Sequence, residues 1–213
     1  MALQIGTSFF QLKDALPAAD LILIAVSDSA IAEISRTIGT TAATVIHTSG
    51  ASPIDLLAQH EQHGVLWPIQ TFGTDRPISL KNIPLVYEGN NEAAIAEIRT
   101  LAEALSDRVV ELAHEERRLL HLSAVIMGNF PVFLLMKAQE LLGEKNLPVD
   151  LLDQLWHTMA NNAIDKGPEA ALTGPARRGD RTTIDRHLEA LQHRPDLQEL
   201  YRLISEMIMK EGS

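Results

Sequence analysis

The segment "ALTGPARRGD", residues 171–180, gathers side chains suited to holding an anion. Arg177 and Arg178 offer fork-shaped guanidinium donors that match a carboxylate or a phosphate, and Thr173 adds a hydroxyl. Gly174 and Gly179 free the backbone on either side, Pro175 stiffens it, and Asp180 can cap a helix starting at Thr182 or Thr183. A plain helix–helix connection with solvated arginines fits the same letters. Anion binding is therefore the chemically richer of two readings.

His121 is the candidate for proton chemistry. An imidazole that titrates near neutrality can give a proton to a carbonyl or imine heteroatom, or stabilise charge there. Its apolar helical surroundings also fit a hydrogen-bonded core histidine. Asn129, eight residues on, would lie roughly 12 Å along the helix and about 80° around it. The two could touch different ends of one ligand but could not pair directly. Pro131 cannot donate to the carbonyl of Met127, which predicts a kink beside Gly128 and Asn129.

The remaining candidates stand at the ends of predicted strands. Val26, Ser27 and Asp28 follow the apolar run Leu21–Val26, where a cofactor's ribose or nicotinamide could pass; helix capping by Ser27, Asp28 or Ser29 is the other role open to them. "HTSG" places His47, Thr48, Ser49 and Gly50 at the next strand end, with Gly50 permitting close approach and the hydroxyls able to donate. A turn satisfied by its own Ser and Thr side chains is the alternative. Gln70 in "WPIQTF" presents both a donor and an acceptor. Trp67 and Phe72 read as core residues. His60 and His63 form an H-x-x-H without acidic or cysteine partners at zinc spacing, so they read as solvent-facing and no metal is expected.

The elements that must position these residues fall into two classes. "ADLILIAVSD", "ATVIHTSG", "HGVLWPIQTF", "NIPLVYEGN" and "DRVVELA" read as short strands. The first is a continuous apolar run of the kind buried on both faces of a parallel sheet. Between them, Ile31, Ile34 and Ile38 mark one helix, "ASPIDLLAQH" opens another, and Ile95, Ile98, Leu101 and Leu105 predict a helix over 92–105. Strand–helix alternation implies a parallel, doubly wound sheet with ligands at the carboxyl ends of its strands. From about His114 the pattern is helical only: Glu115–Leu142, then Leu152, Leu155, Trp156 and Met159, then Ile184, Leu188 and Leu191, then Leu197, Leu200, Tyr201, Ile204 and Ile208. The fold class is therefore α/β, a partial Rossmann-like parallel sheet over 1–112 followed by an all-helical domain over 113–213.

Composition narrows the function classes. The chain has 213 residues, a formal net charge of -10 and no cysteine. Lys plus Arg number 18 against 28 for Asp plus Glu, and no basic run exceeds two residues, so a nucleic-acid partner is not expected. Lack of cysteine removes disulfides and thiolate chemistry and suits the cytoplasm. The opening "MALQIGTSFFQLKD" does not read as a secretion signal. Leu119–Met136 has membrane length, but His121, Ser123, Asn129 and Pro131 favour burial within protein over a lipid span.

Taken in order, "DLILIAVSDSAI", "VIHTSGAS", "WPIQTF", "HLSAVIMGNFPVFLL" and "LTGPARRGD..TI..HLEAL" resemble bacterial Rossmann-like proteins with a helical C-terminal domain of unknown function. That layout is similar to pyrroline-5-carboxylate reductase, deazaflavin-dependent NADP reductase and the 3-hydroxyacid dehydrogenases, with a 6-phosphogluconate dehydrogenase C-terminal-like helical part. The resemblance implies an NAD or NADP cofactor on the first domain and a second domain that completes the active site, usually in a homodimer. It implies reduction of a small carbonyl or imine acid, with His121 and Asn129 catalytic. Val26, Ser27, Asp28, Ser49 and Gly50 would lie at the cofactor, and Gln70, Thr173, Arg177 and Arg178 at the substrate.

Two departures stand out. No G-x-G-x-x-G occurs, and the chain opens where the third strand of such a domain would stand. Either the sequence is a shortened form, which is the expectation, or this mode of dinucleotide binding has been lost, leaving a binding or dimeric scaffold protein. Further, the hydroxyacid dehydrogenases place a lysine four residues before the helix asparagine; Val125 stands there.

Overall fold

The computed structural model describes residues 16–73 and 77–211. The opening segment read above for a secretion signal lies outside the described residues. The chain forms two compact units, Met1–Phe130 and Pro131–Ser213.

The first unit is a five-stranded sheet in sequential order: β1 (Leu21–Ile24), β2 (Thr44–His47), β3 (His63–Pro68), β4 (Leu85–Gly89) and β5 (Val109–Glu111). β1–β2, β2–β3 and β4–β5 pair in parallel, and β3–β4 pair antiparallel. The alternation predicted a parallel sheet throughout. Parallel pairing requires a crossover, usually a helix, and the described parts of the link between β3 and β4 contain none, so β4 returns alongside β3 in the opposite direction.

Strand side chains alternate between two faces. Ile24 and Val45 pack with Ile31, Ile34 and Ile38 of α1 (Ile31–Ile38), together with Leu57. Val65, Trp67 and Val86 pack with Leu120 of α3 (His114–Ala124). The opposite face, including Ile46, Leu66, Leu85 and Tyr87, is closed by Ala94, Ile98 and Ala102 of α2 (Glu92–Leu105). Burying side chains such as Val65 and Ile98 contributes about 1.5–3 kcal/mol each.

α2 spans the residues that the apolar spacing predicts, and Asn91 caps it by accepting from the Ala94 N–H at 2.9 Å. The helix expected from "ASPIDLLAQH" is a single 3-10 turn, Ile54–Leu57, because β3 begins only six residues later. The capping expected at Ser27 is absent too. A 3-10 turn, Asp28–Ala30, precedes α1, and Ser27 makes no capping bond.

Composition changes to helix only near residue 112, where the sheet ends at Glu111. The first compact unit nevertheless runs to Phe130. It takes in α3 because Arg117 and Leu120 anchor that helix on the sheet. Beyond α3 the helix widens into a π-turn, Val125–Asn129, closed by the Phe130 N–H to the Val125 carbonyl. Pro131, with no N–H to donate, follows at once, and the distortion falls at the residues where the kink was expected.

The second unit contains α4 (Phe130–Gly143) from its second residue on, then α5 (Asp153–Lys166), α6 (Pro168–Ala171), α7 (Arg181–Ala190) and α8 (Pro195–Glu211). Few of its described residues are buried: Ala176, Ile184, Leu191 and Ser205. Ile164 is 81% exposed, and Val132, Leu155 and Met159 are more than half exposed. In the first unit Leu119, Ile126 and Met127 are likewise open, Met127 at 80%. His114–Gly143 is long and apolar enough to cross a membrane by length and composition. Among the described residues the burial expected for Leu119–Met136 is not found, and none of the most apolar part of this helix is buried.

Candidate functional site

β1, β2 and β3 run in the same direction, so their carboxyl ends share one edge of the sheet. That edge brings together Val26, Ser27 and Asp28 after β1, Ser49 and Gly50 after β2, and Gln70 after β3. Val26, Ser27, Asp28 and Gln70 are exposed, whereas Ser49 and Gly50 are buried. The Gln70 Oε1 accepts from the Thr71 N–H at 2.9 Å.

The loop after β2 is built from within. The His47 Nδ1 accepts from the Ser49 N–H at 3.1 Å, which leaves the ring proton of a neutral imidazole on Nε2. The Ser49 Oγ accepts from the N–H groups of Ala51 and Ser52 at 3.2 and 3.0 Å. This is the self-satisfied turn that the Ser-rich sequence allows. Burial, and then the Arg117 charge, lower the His47 pKa to about 4, against an opposing pull from Asp28. His47 is thus neutral at ordinary pH.

Gly50 is a glycine by necessity. A Cβ there would lie 2.5 Å from the Trp67 indole and 2.8 Å from the His121 ring. Trp67 and His121 face one another with ring centroids 5.6 Å apart, tilted by 55°. His121 is half-buried and reaches this edge from α3, so the structure brings together His121, Ser49 and Gly50 of the predicted residues. Asn129 is exposed on the π-turn.

Arg117 is the residue that sequence reasoning missed. Its side chain is completely buried. The Nη1 donates to the carbonyls of Ser49, Gly50 and Ser52 at 3.2, 3.1 and 2.8 Å. The Nη2 lies 3.0 Å from the Glu88 carboxylate and 3.3 Å from the His114 Nδ1. A signal existed: Arg117 shares a helical stripe with Leu120 and His121, whereas its neighbour Arg118 turns outward to Glu115.

Three residues depart from the sequence expectation. His60 and His63 are 3% and 6% exposed rather than solvent-facing. The His60 Nε2 lies 3.0 Å from the Ser35 Oγ, and the His63 Nδ1 donates to the His60 carbonyl at 2.8 Å. Phe72 is 55% exposed rather than core, because the chain leaves the sheet after Pro68. Trp67 is buried, as expected.

The arginine loop belongs to the second unit. Gly174 and Gly179 adopt φ of +100° and +67°, a region that disfavours any residue with a Cβ. The Asp180 carboxylate accepts from the Thr183 N–H at 3.0 Å and so caps α7, which begins at Arg181. Among the described residues the Arg177 and Arg178 side chains have no hydrogen bond or ion pair; Arg177 is half-buried and Arg178 exposed. Thr173 lines an apolar depression of about 290 Å³ with Pro175, Ala176 and Tyr201.

Comparison with known proteins follows the same layout. Residues 83–208 match the family model DUF2520, a domain of unknown function. No match is found among curated proteins. The "putative NADP oxidoreductase" of Bacteroides fragilis is 34% identical, with a TM-score of 0.90 over 98% of this chain and 83% of that one. A Thermotoga maritima protein is 22% identical, with a TM-score of 0.76 over 92% and 80% of the two chains. The 1-pyrroline-5-carboxylate reductase of Streptococcus pyogenes shares the fold at 12% identity, with a TM-score of 0.59 over 98% and 83%. The chain therefore belongs to the DUF2520 family, and its fold is that of Rossmann-like, NAD(P)-oxidoreductase-type proteins.

Proposed function

We propose that the protein is an NAD(P)-dependent oxidoreductase acting on a small carbonyl or imine acid, as a cytoplasmic homodimer. The observation that carries this reading is the position of His121 beside the Ser49–Gly50 loop, at the carboxyl edge of the parallel strands. Ligands of open α/β sheets bind at that edge. The 34% identical Bacteroides protein, which bears the name of an NADP oxidoreductase, supports the class.

The described residues fit one end of a nicotinamide dinucleotide. Ser27 and Asp28 offer oxygen atoms for ribose hydroxyls, and Gly50 has an N–H without a partner among the described residues. No described turn is rich enough in glycine for a pyrophosphate, and Asp28 would repel one before α1. When bound, the nicotinamide supplies hydride transfer. His121 would hold a proton for the substrate heteroatom, Gln70 would hydrogen-bond the substrate, and Asn129 would orient it. On the second unit, Arg177, Arg178 and Thr173 would offer donors to an acid group; the two guanidiniums have no hydrogen bond or ion pair among the described residues.

The uncovered apolar side chains of α3, α4 and α5 support a second copy as their cover, since monomers rarely leave so much apolar surface open. Light scattering should then give twice 23.4 kDa, and a monomer would contradict the dimer. The enzyme reading is tested by thermal shift with NADPH and NADH. A rise in melting temperature supports it. If neither nucleotide binds, a non-catalytic scaffold is favoured, which is consistent with the lack of a G-x-G-x-x-G motif.

A further inference from the structure

We propose that Arg117 is a positioning residue, which fixes the loop after β2 so that the Gly50 N–H is the donor left for a ligand at the carboxyl edge of the sheet. The ligand's class rests on the reading given under Proposed function; the loop's dependence on Arg117 does not.

Of the backbone N–H groups of residues 49–52, those of Ser49, Ala51 and Ser52 are taken by His47 Nδ1 and Ser49 Oγ. That of Gly50 has no partner among the described residues. The carbonyls of Ser49, Gly50 and Ser52 all converge on one atom, the Arg117 Nη1. That nitrogen carries two hydrogens, so three acceptors share them and the loop is drawn inward at a single point. Glu88 and His114 hold the other side of the guanidinium in register. The cation is thereby held against the loop.

Complete burial of a guanidinium is costly, and an apolar side chain would fill the same volume without that cost. What an apolar side chain cannot do is gather three carbonyls. Lysine keeps the charge but lacks the planar fork that meets the loop on one side and Glu88 on the other. The arrangement is therefore specific to holding a backbone conformation. Gly50 adds a second constraint, since its neighbours Trp67 and His121 leave no room for a side chain.

The test compares wild type, Arg117→Met and Arg117→Lys by amide hydrogen exchange and by NADPH titration. In Arg117→Met, exchange at Ser49, Ala51 and Ser52 should quicken about tenfold while α2 amides keep wild-type rates. NADPH should bind about tenfold more weakly, because a displaced loop misplaces its donor. Arg117→Lys should fall between the two proteins in both readouts, and it decides the matter if the methionine variant does not fold. A uniform rise in exchange across the loop, β3 and α2 would make Arg117 a general stabiliser and overturn the proposal. Unchanged loop exchange would overturn it as well. Should wild type bind neither NADPH nor NADH, the dinucleotide reading fails, and the exchange comparison still decides the role of Arg117.

Discussion

Gly50 and Trp67 are packed so closely that a Cβ on the glycine would lie 2.5 Å from the indole, inside any tolerable carbon–carbon contact. Because Trp67 is buried and also abuts His121, it has little room to withdraw. Gly50→Ala should lower stability by about 1–3 kcal/mol, the usual cost of overfilling a core. Adding Trp67→Leu should recover part of that loss, read as a non-additive coupling in urea denaturation. Strict additivity of the two substitutions would show that the contact does not govern the loop.

The titration of His47 sets a second expectation. Its folded pKa of about 4 lies below the ordinary 6.5, so the unfolded chain binds the proton more readily. Stability should fall as pH drops from 6.5 towards 4, by an amount on the order of 3 kcal/mol. His60, lowered first by burial and then by His63, acts in the same direction. Glu115, Glu140, Glu144 and Asp180 are held below their ordinary values of 4.5 or 3.8, so their contributions are lost only below about those values. Urea midpoints between pH 6.5 and 5.5 therefore report chiefly on the histidines. His47→Gln should flatten the slope there, and an unchanged slope would remove His47 as its source.

Much of this fold can be read in the sequence where burial repeats with a clean period. The spacing of Ile95, Ile98 and Leu101 announces a helix, because apolar transfer dominates the choice of conformation there; the run Leu21–Ile24 announces a strand, but Leu23 is 50% exposed among the described residues, so burial on both faces is not found. The direction of β4 could not be read that way, since a strand's letters do not record which way its neighbour runs. His60 and His63 misled for a related reason: an imidazole can be buried when a hydroxyl or carbonyl meets it, and the Ser35 hydroxyl beside His60 comes from 25 residues away, which the H-x-x-H spacing does not show. Arg117 was hidden by its neighbour Arg118; only the helical stripe separates the buried guanidinium from the exposed one.

Arg177 and Arg178 should be dispensable for folding. Neither has an ion pair or hydrogen bond among the described residues, so Arg177→Ala and Arg178→Ala should each change stability by no more than about 0.5 kcal/mol. Loss of a charge-assisted bond to an acid ligand should weaken binding about tenfold, consistent with roughly 1.5 kcal/mol. Calorimetric titration with small carboxylic acids checks this. Equal losses of stability in both variants, with ligand binding intact, would assign the arginines to structure.

The central claim is that the carboxyl edge around Ser49, Gly50 and His121 receives a nicotinamide nucleotide. The most direct measurement is the melting temperature of the wild-type chain across a titration of NADPH and of NADH. A ligand at a hundred times its Kd stabilises the native state by about 2.7 kcal/mol, which for a chain of this size raises the midpoint by several degrees. The account predicts such a rise with at least one of the two nucleotides, diminished by Gly50→Ala. A midpoint that stays fixed at millimolar concentrations of both would contradict it.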